Sequence, residues 1–290
     1  MRDLSQEQLV LLAAYLHIPA RRLRSLARGE DPSLKEWLEG DSARRVAHAR
    51  RQARESAQRL ASLGASIVTI ADARYPHGLR DLDDPPAFLS VRGSLPLGGV
   101  AIVGTRTPPA LAQEFAREFA ARLGEPVVSG LALGIDAAAH RGALEAGVPT
   151  VAYVGTGLGT TYPPEHRALE EEIVARGGAI VSERLAGEPV TKSALAHRDR
   201  LQAAHARAVI LVASETDGGA MLTMRFAKQL GRPRFALAVY GDRCYAGNAQ
   251  AHADGARVLP FDVDRALSAL QTFMSGCHGE LVEPPRAARH

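Results

Sequence analysis

The sequence predicts an α/β fold, a doubly wound and mostly parallel sheet with a small all-helical segment ahead of it. Three observations predict it. Residues 1–64 show helical periodicity alone, short β-rich runs alternate with helical patterns from 65 to about 260, and glycine-bearing loops follow several of those runs. At 290 residues, 46% hydrophobic and 23% charged, the chain can bury a full core and still hold a second, smaller unit.

In the helical segment Leu9, Leu12, Ala13 and Leu16 recur at helical spacing. A basic stretch follows, in which Arg44, Arg45, Arg50, Arg51, Arg54 and Arg59 outnumber Asp41 and Glu55. It reads either as a phosphate-tracking face or, more simply, as a solvated helix surface. After Gly64 the character changes, with a first strand at 67–70 and the turn-forming Tyr75-Pro76 and Asp84-Pro85-Pro86, so a boundary falls near residue 65. Further strands are expected at 100–103, 127–129, 150–154, 179–182, 208–213 and 234–239, with helical patterns between them. This alternation implies βαβ units in a Rossmann-like arrangement whose ligand crevice lies beyond the carboxyl ends of the strands. The expected division is 1–64 helical, 65–260 Rossmann-like, and 261–290 a helix at 263–273 followed by a disordered tail from about Ser275.

Other function classes lose ground on composition. No apolar run approaches the roughly 20 residues of a membrane span, and the N-terminus lacks a signal-peptide core, so a cytoplasmic protein with no membrane partner is expected. Cys244 and Cys277 form no CxxC, and the ten histidines form no HExxH, so neither metal nor cofactor is expected. A net charge of +3 is compatible with a polyanion but demonstrates none.

The strand exits carry the chemistry. The run 100–103 leads into Gly104, Thr105 and Arg106, where backbone donors and a bidentate guanidinium suit a phosphate. The second exit holds Gly130 and Gly134, with Asp136 as a helix N-terminal carboxylate and His140 read as packed under the loop rather than catalytic. Gly155, Thr156 and Gly157 form the third exit, without GxGxxG spacing, and Tyr162 follows as either a base-stacking platform or a packing residue. Lys192, Arg198 and Arg200 precede the apolar strand 208–213, with Asp199 as an internal salt-bridge partner. Gly218, Gly219 and Thr223 open one more helix suited to an anion.

In this order the segments resemble the DprA/Smf family of DNA-processing proteins over roughly residues 75–259. The matching pieces are Tyr75-Pro76 with Asp84-Pro85-Pro86, Val-Gly-Thr-Arg at 103–106, Ser-Gly-Leu-Ala with Gly-Ile-Asp and Ala-His within 129–140, and Tyr162-Pro163. Ser182-Glu183, Arg-x-Arg at 198–200, the glycine–threonine helix start at 218–223, Gly247-Asn248 and Gly255-Ala256 complete the set. The resemblance implies a homodimer that binds and protects single-stranded DNA and loads the RecA recombinase during natural transformation, with a SAM-like N-terminal domain. It places Arg106 at a DNA-binding arginine, Arg198 and Arg200 in an Arg-Asn-Arg motif, and Lys192 at a basic position. Pro164, Asp199 and Gly218-Gly219-Ala220-Met221 depart from the family pattern, and Asp199 should repel a phosphate that asparagine would bind. The winged helix that many relatives carry does not fit in the residues after Leu259. Two rivals stay open: a nucleotide-sensing module of the same fold, and a nucleotide phosphoribohydrolase-like enzyme. The enzyme reading is disfavoured because Arg225 stands where that motif has its catalytic glutamate.

Overall fold

A computed structural model describes residues 5–30, 42–238 and 245–276. Helix α1 (Gln6–Tyr15) opens on a capping box, with Ser5 accepting from the Gln8 amide while the Gln8 side chain accepts from the Ser5 amide. Helices α2 (Ala20–Ala27) and α3 (Ala43–Ser62) follow. Val46, Ala49, Ala53, Ser56 and Leu60 form the buried stripe of α3, which packs on α1 and on the first strand, β1 (Ala65–Thr69).

A strand that the sequence reading omits, β2 (Phe88–Gly93), then pairs antiparallel with β1. It is set up by Tyr75, whose ring is fully buried and whose hydroxyl donates to the Pro86 carbonyl at 2.8 Å. The Arg80 guanidinium covers that ring at 5.2 Å. The Tyr-Pro and Asp-Pro-Pro pieces therefore brace the start of the sheet rather than a ligand.

The remaining elements alternate: β3 (Val100–Val103), α4 (Ala110–Arg122), β4 (Val127–Ser129), α5 (Ile135–Glu145), β5 (Thr150–Tyr153), α6 (Arg167–Ala175), β6 (Ala179–Ser182) and α7 (Lys192–His205). β7 (Ala208–Leu211), α8 (Ala220–Gln229), β8 (Arg234–Leu237), α9 (Ala246–Ala253), β9 (Arg257–Leu259) and α10 (Val263–Gly276) complete the chain. One nine-stranded sheet results, in the order β1-β2-β6-β5-β4-β3-β7-β8-β9, antiparallel only at β1–β2 and β2–β6. The fold is thus the expected mostly parallel, Rossmann-like sheet. The expected helix at 263–273 runs to Gly276, so Ser275 is helical; the rest of the expected tail, 277–290, lies outside the described residues, as do Cys244 and Cys277.

Alternation along each strand sends side chains to two cores. Val100 and Ile102 of β3 join Phe115, Phe119 and Leu267 on one face, while Ala101 and Val103 join Leu201 and Met224 on the other. Phe115 stacks on Phe119 at 5.6 Å, and a fully buried ring of this kind contributes about 1.5–3 kcal/mol. Among the described residues no helix is long and apolar enough to cross a membrane, and no group of three or more His, Cys, Asp or Glu could hold a metal ion.

Candidate nucleic-acid interface

β3 pairs with β4 on one side and with β7 on the other, so the chain winds away from β3 in two directions. The loops leaving β3 and β7 therefore diverge, and a crevice opens at this switch point, where open α/β sheets bind ligands. A cavity of about 580 Å³ occupies it, a size ordinary for small-molecule sites. Its walls include Gly104, Thr105 and Arg106 after β3, Asp136 of α5, Lys192, Arg198, Asp199 and Gln202 of α7, and Asp217, Gly218, Gly219 and Thr223 around the start of α8.

The cations there differ in availability. Arg106 is exposed, and its guanidinium has no ion-pair or hydrogen-bond partner among the described residues. Lys192, the first residue of α7, is exposed at the rim and equally unpaired. Arg198 is buried and committed: Nε donates to Asp199 Oδ1 at 2.8 Å, and Nη1 donates to the carbonyls of Gly130 and Tyr153. Arg200 lies two residues further along α7 and so points to another side of the helix, outside the cavity. Its Nη2 meets Glu183 Oε2 at 2.6 Å, and its Nε lies 3.1 Å from His197 and 3.5 Å from Asp84. At the start of α8 the amides of Gly219 and Ala220 have no acceptor among the described residues, which leaves two oriented donors at a helix N-terminus.

Carboxylates share the same walls. Asp136 Oδ2 accepts from the amides of Gly130 and Ala132, both at 3.2 Å, and so shapes the loop after β4. Burial pushes its pKa up, against the Arg198 guanidinium. Burial likewise pushes Asp199 up to about 6, with Arg198 opposing and the Asp136 charge reinforcing the rise. Gln202 Nε2 adds a 3.2 Å hydrogen bond to Asp199 Oδ1. His140 is buried beneath the loop, hydrogen-bonded to Thr150 Oγ1 at 2.7 Å, and burial depresses its pKa to about 3, so it is neutral near pH 7.

Several glycines expected to approach a phosphate serve the protein's own packing. A Cβ on Gly104 would strike Ile135, and one on Gly130 would sit within 2.7 Å of the Arg198 guanidinium. Gly134, with φ +76°, packs against residues 105–108 and does not line the cavity. Residues 155–157 lie outside it too: Gly155 packs on Leu195, Gly157 donates to the Glu188 carbonyl at 2.9 Å, and Thr156 Oγ1 donates to the Thr160 carbonyl. Gly219 alone among these candidates faces open space. Tyr162, 38% exposed, lines a separate side pocket of about 50 Å³ with Gly130, Leu133 and Pro163. Arg106, Ala132, Leu195 and Arg198 belong to both cavities, so the ring stands next to the phosphate-suited crevice.

One pair that the sequence offers only as a family match positions a wall. Asn248 Oδ1 accepts from the Ser214 amide at 3.0 Å, and its Nδ2 donates to the carbonyls of Val212 and Leu237. The Gly247 amide donates to the Ser214 carbonyl at 2.8 Å, where a Cβ on Gly247 would collide. Together they hold the 214–219 loop against the ends of β7 and β8.

A doubly wound α/β protein with an anion-suited crevice at its switch point is the class that fold and site define. Residues 66–271 match the family model for DNA recombination-mediator protein A, and the chain belongs to that family. It is 36% identical over 181 residues to the Smf protein of a Synechocystis strain, a match covering 59% of this chain and 45% of that one. Over the first curated relatives the chain spans 45–63% of their length. Its fold is similar to DNA processing protein A from Streptococcus pneumoniae, with a TM-score of 0.66, 26% identity, and coverage of 89% of this chain and 90% of that one. It is also similar to the Helicobacter pylori protein of that name, whose structure is described for its single-stranded DNA binding mode, with a TM-score of 0.63, 27% identity, and coverage of 72% and 96%.

Proposed function

We propose that this protein binds single-stranded DNA in the switch-point crevice and, as a cytoplasmic homodimer, protects incoming DNA and loads the RecA recombinase during natural transformation. The observation that carries the binding step is Arg106, a guanidinium without a partner among the described residues, in a cavity also lined by Gly219 and Ala220, whose amides have no acceptor among those residues. Arg106 and Lys192 neutralise phosphates, those amides each donate to a phosphate oxygen, and the Tyr162 ring offers a stacking face to a neighbouring base. Arg198 acts at one remove. It adds positive potential while its Nη1 and Nε remain committed to the protein. The helical unit 1–64, the sheet unit 65–260 and the segment 261–290 are read as the parts of this machine, without a catalytic step.

A second reading has its own support. Asp136, Asp199 and Asp217 bring carboxylates to a cavity of nucleotide size, and a carboxylate suits ribose hydroxyls better than a DNA backbone. Titration of oligo-dT, duplex DNA and free nucleotides against the wild type and Arg106→Glu, at two salt concentrations, separates the readings. Oligo-dT binding that weakens with salt and is lost in Arg106→Glu supports the proposal. DNA binding unchanged in the variant overturns the site, and tight nucleotide binding without DNA affinity overturns the function.

A further inference from the structure

Helix α3 carries arginines that the cavity does not use. It holds six of them against one glutamate, so its net charge of +5 exceeds the +3 of the whole chain. All six are exposed. At about 100° per residue, Arg44, Arg51 and Arg54 fall on the side opposite the buried stripe, and Arg50 lies one turn, about 6 Å, before Arg54. Arg44, Arg50 and Arg54 have no ion-pair or hydrogen-bond partner among the described residues, and Arg51 reaches only His48 Nδ1 at 3.3 Å.

A merely solvated face does not require this imbalance, because like charges a turn apart repel. Several other surface arginines are matched, Arg117 with Glu145, Arg122 with Glu118 and Arg176 with Glu172. The α3 face also offers nothing to insert into a bilayer. Its apolar stripe is turned inward, and its exposed uncharged positions include Ala43, Ala47 and Gln58 rather than large apolar residues. At its carboxyl end α3 reaches the edge of the sheet that bears the cavity: Arg59 lies against Gly187 and Leu63 against Gly159, on the loops that follow β6 and β5.

We infer that the Arg44, Arg50, Arg51 and Arg54 face of α3 is a second phosphate-binding surface, which engages the backbone of a DNA strand whose other part lies in the crevice. The inference rests on the crevice being a single-stranded DNA site. Exposed guanidiniums without a shaped pocket contact phosphates without reading bases, so this surface adds length-dependent and sequence-independent affinity.

The test compares an oligo-dT of about 6 nucleotides with one of about 30, across a salt series. The proteins are the wild type, Arg106→Glu, an Arg44→Ala/Arg50→Ala/Arg54→Ala variant, and the same three positions changed to lysine. Alanine favours an exposed helix, so circular dichroism should show α3 intact. The alanine variant is expected to lower the slope of log affinity against log salt by about 2 on the long strand, at about 0.7 per phosphate, with no change on the short one. Lysine should restore the slope. An unchanged long-strand slope, while the wild type binds and Arg106→Glu does not, overturns the second surface and leaves the crevice standing. Equal losses on both lengths overturn it as well, since α3 would then act through the crevice. Failure of the wild type to bind either strand removes the crevice reading itself. Loss of binding to anionic vesicles, with DNA binding intact, reassigns the face to a membrane.

Discussion

Four arginines of the sheet region and three of those on α3 stand in opposite electrostatic states. Around the sheet, Arg92 meets Glu171, Arg207 meets Glu125, and the buried Arg198 and Arg200 meet Asp199 and Glu183. On α3 the exposed Arg44, Arg50 and Arg54 have no partner among the described residues. The difference teaches that what a guanidinium does is decided by the acceptors already on its donors. A buried arginine held by carboxylates or carbonyls fixes geometry, whereas an exposed and unengaged one is left for a ligand. Among the cavity-lining arginines Arg106 differs from Arg198, with the uncommitted donors of an α3 arginine, among the described residues, at a place shaped by a buried one.

The contrast can be broken most forcefully at Arg200. Arg200→Ala leaves Glu183 without its partner in a mostly buried setting, and the expected loss is about 3–5 kcal/mol of unfolding free energy. An unaltered denaturation midpoint would mean that Arg200 is not locked, and would return it to the list of ligand residues. Gly130→Ala places a methyl within 2.7 Å of the Arg198 guanidinium and should cost about 2–3 kcal/mol as its carbonyl hydrogen bonds are displaced. Wild-type stability in urea would show that Arg198 has room to move.

Asp199→Asn sharpens the contrast from the acidic side. Asparagine keeps an acceptor for Arg198 Nε and Gln202 Nε2 but removes a negative charge from the cavity. At an effective dielectric of about 20 and a separation near 10 Å that charge opposes a phosphate by about 1–2 kcal/mol, so oligo-dT should bind roughly tenfold tighter at pH 7. The sign of the pH effect follows from the raised pKa. The Asp199 carboxyl takes up its proton as pH falls through about 6, and wild-type affinity should therefore rise between pH 7 and 5. The asparagine variant should lack that component, and parallel pH profiles for the two proteins would contradict the assignment. The smallest effect is expected at Arg117→Ala, which removes an exposed arginine already matched to Glu145 and should leave the salt dependence of DNA binding unchanged.

Much of the architecture is legible in the sequence because the central strands are apolar runs closed by glycine, proline or serine. The strands at 100–103, 127–129 and 179–182 begin and end where the sequence places them. β2 escapes because Phe88–Gly93 follows the Pro85-Pro86 turn and mixes Ser90 and Arg92 into its run, and β9 because Arg257–Leu259 is only three residues long. The site is legible in part for a different reason. Sequence shows which residue types stand at strand exits but not what already occupies them, so Arg106 and Gly219 look like Arg200 and Gly157 until Glu183 and Leu185 are seen against the latter pair. The carboxylates Asp136 and Asp217 join the cavity only once α5 and the loop before α8 are brought together.

Asn248 gives this arrangement a genetic signature. Its amide ties the exits of two parallel strands to the loop that opens α8, yet Asn248 is not among the residues lining the cavity. An unbiased screen for variants that fold but no longer retain DNA should therefore return position 248, some thirty residues along the chain from the donors it orients. A suppressor of such a variant would be expected in the 214–219 loop rather than among the arginines.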